Sequence, residues 1–131
     1  MNTKVIFSRI TDEWRTPWPF YARLMKEGFF DPCPIGPKEN GLEMEWPEKC
    51  YVNPPYSKLR KWVEKCIGEA SRGKQVLMLI PARTDTQAFK ELWLHGCEFW
   101  FITGRLHFSG AGAAPFPSLL VNLTGGRIKS I

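Results

Sequence analysis

The chain has 131 residues, 44% of them apolar and 24% charged, with a net charge of +5 and a pI near 9.2. These values fit one soluble globular domain over 1–131 and exclude fibrous, low-complexity and membrane-spanning classes. Met1-Asn2-Thr3-Lys4 does not read as the opening of a signal peptide, so none is expected. The four cysteines, at 33, 50, 66 and 97, lack the close spacing and histidine partners of a zinc site, so the expectation is a reduced, cytoplasmic protein without a metal. The basic balance favours a polyanionic partner, because lysine and arginine gain by neutralising phosphates.

Residues 1–15 are mixed, with a short apolar patch at Val5-Ile6-Phe7. Thr16-Pro17 signals a helix start, Thr as the cap and Pro in the first helical position. Phe20, Tyr21, Leu24 and Met25 then share one face and Gly28 ends the helix, so the spacing predicts a helix over 17–27. Phe29-Phe30-Asp31 reads as a very short strand with Asp31 at its carboxyl end. Asp31 there is either a turn cap before Pro32 or a ligand for ribose hydroxyls. Pro34, Gly36, Pro37, Asn40, Gly41 and Pro47 mark 34–49 as loop, with 42–46 either a short strand or irregular.

Cys50-Tyr51-Val52 suits a buried strand, and Asn53-Pro54-Pro55-Tyr56 follows. Two prolines force the chain out of the sheet, so Asn53 sits on a stiff turn at the strand's carboxyl edge, where open α/β sheets bind ligands. The Asn53 side-chain carbonyl and the Pro54 backbone carbonyl offer two acceptors on a rigid frame, suited to the two protons of a planar amine. Tyr56 offers a face for a flat heterocycle, a contact worth about 1–3 kcal/mol per base. Four residues alone are also compatible with a plain Pro-Pro turn beside a core tyrosine.

A helix over 58–71 follows, with Ser57 as its cap and Leu59, Trp62, Val63, Cys66, Ile67 and Ala70 on one face. Its first turn is basic, against the helix dipole, so Lys58, Arg60 and Lys61 either meet an anion such as a phosphate backbone or form a solvated face. The run 75–80 is continuously apolar, as in a strand covered on both sides. With 50–52 it forms a βαβ unit, and Arg83 leaves at the same edge as Asn53 to hold an anion or pair with Asp85 or Asp31. Thr84 or Asp85 caps a helix bearing Ala88, Phe89, Leu92 and Trp93, ended by Gly96. Residues 97–102 form a further strand. A flexible loop over 109–115 separates strands at 106–108 and 119–123, which are expected to pair antiparallel.

An Asn-Pro-Pro-Tyr turn on such a sheet resembles amino-directed, S-adenosylmethionine-dependent methyltransferases. More closely, the chain resembles the phage-type (Dam-like) DNA N-6-adenine methyltransferases over almost its whole length. The likeness rests on Trp14-Arg15-Thr16-Pro17, Phe30-Asp31-Pro32-Cys33-Pro34, Tyr51-Val52-Asn53-Pro54-Pro55-Tyr56-Ser57, Pro81-Ala82-Arg83-Thr84-Asp85-Thr86, Gly104-Arg105-Leu106-His107-Phe108 and Ala114-Pro115-Phe116-Pro117-Ser118. The resemblance implies a compact, truncated Rossmann-like sheet, mostly parallel with a C-terminal antiparallel hairpin and helices on both faces. It implies methyl transfer to adenine N6 in DNA, with Asn53, Pro54, Pro55 and Tyr56 catalytic. Thr16, Pro17, Asp31, Cys33 and Pro34 would lie on the S-adenosylmethionine side, and Lys58, Arg60, Lys61, Arg83 and Arg105 on the DNA.

The chain departs from the wider methyltransferase pattern in having no glycine-rich cofactor loop after an early strand. Phe29-Phe30-Asp31 is expected to stand in for the second strand, and sequence specificity is expected to be low or to come from short loops, since these residues show no separate target-recognition domain. A monomer or homodimer in the cytoplasm of a bacterial host, for a phage or prophage protein, completes the expectation. The same four residues also serve RNA-adenine and protein-glutamine methyltransferases. A catalytically inactive nucleic-acid-binding domain is the reading from another class.

Overall fold

The computed structural model describes residues 15–34, 40–108 and 112–123. The stretches around Val5-Ile6-Phe7, Gly36-Pro37 and the basic tail after Gly125 lie outside the described residues. Helix α1 spans Trp18–Lys26 and strand β1 Lys49–Val52. A 3-10 turn, Tyr56–Lys58, leads into α2, Leu59–Ser71. Then come β2 (Gln75–Pro81), α3 (Gln87–His95), β3 (Glu98–Phe101), β4 (His107–Phe108), β5 (Gly112–Ala113) and β6 (Ser118–Leu123).

The main sheet has the order β1-β2-β6-β3. Strands β1 and β2 are parallel, whereas β6 runs antiparallel to both β2 and β3. Phe30 adds a parallel bridge to Cys50, donating its N–H to the Lys49 carbonyl (2.9 Å) and accepting from Tyr51 N–H (2.9 Å). The very short strand read at Phe29-Phe30-Asp31 is therefore one residue of ladder beside β1.

Two expectations are corrected. The sheet is mixed, not mostly parallel, because β6 threads between β2 and β3 instead of lying at an edge. The strand at 106–108 does not pair with 119–123. His107 and Phe108 pair with Ala113 and Gly112 in a separate two-stranded sheet, so part of the expected 109–115 loop is strand. The pairing of β6 with β2 from Val76 to Pro81 satisfies more ladder bonds than a two-residue strand could.

Side chains alternate across the sheet as the two-residue period requires. Cys50, Val52, Val76, Met78, Ile80, Leu119, Val121 and Leu123 face α2 and α3, meeting Trp62, Val63, Cys66, Ala70, Ala88 and Leu92. Tyr51 and Leu79 face the other way, against Leu24, Phe29, Ala114 and Phe116. Helices thus cover both faces. No helix among the described residues is long and apolar enough to cross a membrane.

Three helix starts differ from expectation. Pro17, not Thr16, caps α1, and it makes no side-chain cap bond. Lys58, not Ser57, caps α2. Thr86, not Thr84 or Asp85, caps α3, its hydroxyl accepting the Phe89 N–H at 3.2 Å. In each case a polar residue one or two positions away looked equally suited. The region 40–46 is irregular, not strand.

Gly41 and Glu69 fix this irregular region. A Cβ on Gly41 would lie 1.9 Å from the Pro32 carbonyl oxygen, so only glycine permits this approach. Trp46 Nε1 donates to the Gly41 carbonyl at 2.8 Å. Glu69 is buried with 2% exposure, yet it pairs with Lys65 (3.0 Å), Lys74 (2.6 Å) and exposed Arg72 (3.2 Å). Lys65 and Lys74 also donate to the Met44 and Trp46 carbonyls. A chain of contacts therefore runs from the foot of α2 to the turn after Asp31.

Candidate active site

Because β3 lies antiparallel to β6, as β2 does, the carboxyl ends of β1, β2 and β3 all emerge at one edge. The segments that follow them carry Asn53 to Tyr56, Arg83 and Arg105. Phe30 joins the same edge, which brings Asp31 beside the Asn53 turn. Topology alone thus brings Asn53 to Tyr56, Asp31, Arg83 and Arg105 to one rim.

Asn53 follows Val52 on the face of Tyr51, and its amide is tied down. Nδ2 donates to Thr16 Oγ1 at 3.2 Å, and Thr16 Oγ1 also bonds the Tyr51 hydroxyl at 2.8 Å. With Nδ2 so committed, Oδ1 is the atom presented as an acceptor, and it is shielded from solvent. The Pro55 carbonyl accepts Lys58 N–H at 3.1 Å and starts the 3-10 turn. Among the described residues the Pro54 carbonyl accepts no hydrogen bond. The rigid turn thus spends one carbonyl on structure and keeps its neighbour available. The Tyr56 ring meets Phe116 edge-on, centroids 5.2 Å apart at 76°.

Thr16, Asp31 and Cys33 come together around two tyrosines. The Tyr21 hydroxyl donates to Asp31 Oδ2 at 2.9 Å, and Cys33 N–H donates to Oδ1 at 2.8 Å. Tyr21 and Phe20 both meet the buried Tyr51 ring edge-on, at 6.4 and 5.7 Å. Burial pushes the Asp31 carboxyl above its ordinary value, although the bonds from Cys33 and Tyr21 pull the other way. Burial and the nearby Asp31 push the Tyr21 hydroxyl up to about 12, so it stays a donor at neutral pH. Pro17 stands at the start of α1 beside Thr16, and Pro34 ends the described turn.

The basic residues are exposed. Ser57, Lys58, Arg60, Lys61 and Glu64 line an open cleft of about 430 Å³ next to the turn. Arg60 is partly engaged, lying 3.6 Å from Glu64 and 3.3 Å from Glu91. Such exposed pairs contribute little and yield readily to a phosphate. Arg83 makes no ion pair with Asp85 or Asp31 among the described residues. Arg105 is exposed beyond β3.

Tyr21, Tyr51 and Phe116 join the site without having been singled out. Tyr21 and Tyr51 fell within patterns that read as core, and Phe116 within a proline-rich block. Their convergence depends on three separate segments, which no local pattern reveals. No group of His, Cys, Asp or Glu among the described residues could hold a metal ion.

The donor set is of the kind that suits a nucleoside. A carboxylate and a hydroxyl stand at a sheet edge beside an aromatic cluster, as vicinal ribose hydroxyls and a flat base require. A family model described as DNA N-6-adenine-methyltransferase (Dam) matches residues 4–117. No curated protein and no solved structure matches the chain.

Proposed function

The chain belongs to the DNA N-6-adenine-methyltransferase (Dam) family, and from that premise we propose that it methylates the N6 amine of adenine in DNA, with S-adenosylmethionine as donor. The observation that carries this reading is the fixed amide of Asn53, held through Nδ2 by Thr16 so that Oδ1 is left as its acceptor.

An adenine turned out of the duplex stacks on Tyr56, with Phe116 bracing that ring from its edge. Its amine donates one proton to Asn53 Oδ1 and the other to the Pro54 carbonyl. Both bonds draw the nitrogen towards a tetrahedral arrangement and raise the availability of its lone pair. Asp31 and Thr16 stand on the cofactor side, Asp31 accepting from ribose hydroxyls. When bound, S-adenosylmethionine supplies an already activated methyl group. The amine held by Asn53 and Pro54 would exchange one N–H proton, lost to water, for the methyl group that the cofactor would supply. The residues position and desolvate the reactants. Lys58, Lys61, Arg83 and Arg105 hold the phosphate backbone, with Arg60 recruited from its surface pairs. The same reading has the protein act in the cytoplasm of a bacterial host, as a monomer or a homodimer.

The test is transfer of labelled methyl to adenine-containing DNA, with calorimetric cofactor binding alongside. Label is expected on adenine N6. Asn53→Ala is expected to lower the transfer rate by about 100-fold or more, as loss of one transition-state hydrogen bond does elsewhere, with cofactor affinity retained. Undiminished transfer by Asn53→Ala would overturn the mechanism. Label on RNA or on protein glutamine instead would move the substrate, and absence of cofactor binding would favour a non-catalytic nucleic-acid-binding domain.

A further inference from the structure

The carboxyl edge carries a second cleft, of about 510 Å³, whose walls include Thr84, Asp85, Phe89, Lys90 and Trp93. It opens where the segment after β2 turns into α3, on the opposite face of the sheet from Asn53. One wall is a stack of rings. Phe89 and Trp93 lie 6.5 Å apart at 23°, and Phe99 of β3 lies 5.1 Å from Phe89 and 5.9 Å from Trp93. Trp93 keeps 37% of its surface exposed, a large aromatic at the rim of this cluster.

Asp85 is exposed and makes no hydrogen bond or ion pair among the described residues. It is not needed as a cap, since Thr86 already fills that role for α3. A carboxylate is an acceptor-only group with two adjacent oxygens. Among the DNA bases, guanine alone sets two donors side by side, N1–H and N2–H, to match it. Adenine and cytosine flank their amine with a ring acceptor, and thymine flanks its N3–H with carbonyls. Trp93 supplies the stacking face and Lys90 a cation for the adjoining phosphate. Arg60, 3.3 Å from Glu91, ties α3, the helix that walls this cleft, to the basic start of α2 beside the Asn53 turn.

We propose that this cleft binds an unpaired guanine of the DNA strand whose adenine enters at Asn53, and so sets the sequence context of methyl transfer. The proposal rests on the DNA reading above, but its test uses probes without adenine. Binding of the protein to a short labelled oligothymidylate is followed by fluorescence anisotropy. The oligonucleotide carries thymine only, one guanine, or one hypoxanthine, which lacks the N2 amine. The guanine probe is expected to bind about tenfold tighter than the thymine probe, with hypoxanthine between them. Asp85→Asn, a surface change, is expected to erase the guanine preference, and Lys90→Glu to weaken all three probes alike.

Equal affinity for the three probes, or a guanine preference that survives Asp85→Asn, would overturn the proposal. A guanine preference in a protein that transfers no methyl group would leave this cleft standing and remove the proposed activity. Adenine methylation with no guanine preference would do the reverse.

Discussion

Thr16 bonds both Tyr51 and Asn53, so one hydroxyl holds the amide that presents the acceptor. Thr16→Val is expected to lower kcat by about tenfold through loss of that alignment, with Thr16→Ser restoring it. Single-turnover kinetics on adenine-containing DNA is the check. On the proposed reading, Asp31 sets the pH dependence of cofactor binding. Its carboxyl is held above the ordinary value, chiefly by burial, so it takes up a proton at a higher pH than an exposed aspartate. The ribose hydroxyls need the charged acceptor. Cofactor affinity is therefore expected to fall as pH drops through that raised value, and Asp31→Asn should bind weakly with a flat profile, as measured by calorimetry across pH. The sequence located both residues but not their bonds. Thr16 looked like a helix cap because Thr before Pro usually is one, and only the approach of β1 gives its hydroxyl better partners.

Among the elements, the segment 40–46 has no regular structure, yet it sets the turn that bears Asp31. Gly41 packs directly on the Pro32 carbonyl. Gly41→Ala is expected to cost about 1–3 kcal/mol, the usual range for overpacking, and to weaken cofactor binding by displacing the Asp31–Cys33 turn. Chemical unfolding paired with cofactor titration separates the two effects. Isolated glycines in the sequence gave no sign of this, because the constraint comes from Pro32 and Trp62. The long periodic elements were readable: α2 buries Trp62, Val63, Cys66 and Ala70 as its spacing requires. The buried Glu69 on the same helix was not: its cations, Lys65, Arg72 and Lys74, are close in sequence, but Lys65 and Lys74 are fixed over it by the Met44 and Trp46 carbonyls of the preceding irregular segment. The β4–β5 pair also escaped, because Gly112 and Ala113 carry no strand signature and gain one only from their partner.

Across the whole molecule, Glu69 links stability to pH. Burial alone would raise its carboxyl, but hydrogen bonds and charge from Lys74 and Lys65 outweigh this and hold it below the ordinary value. The pairing therefore stabilises fully above the unfolded value and is lost as pH falls through the lowered folded value. Glu69→Gln leaves Lys65 and Lys74 without their counter-charge. It is expected to cost about 3 kcal/mol at neutral pH and to flatten the acid limb of the stability curve, read by urea unfolding at several pH values. Strand order is the feature of the whole that local patterns withheld. The sequence supplied the strands of the main sheet and the Asn53 edge, but hydrophobic runs such as 119–123 do not state their neighbours, and the final strand was expected in a hairpin.

That placement has a consequence for biogenesis. Strand β6 is the late-made bridge between β2 and β3, and those two strands have no direct contact in the ladder. While the chain is still emerging from the ribosome, β1, α2 and β2 can assemble as a local unit, but β2 and β3 present unpaired edges until residues 118–123 arrive. Such edges invite pairing with other nascent chains, so the protein spends its synthesis exposed to aggregation, and chaperone demand should fall sharply once the last strand is released.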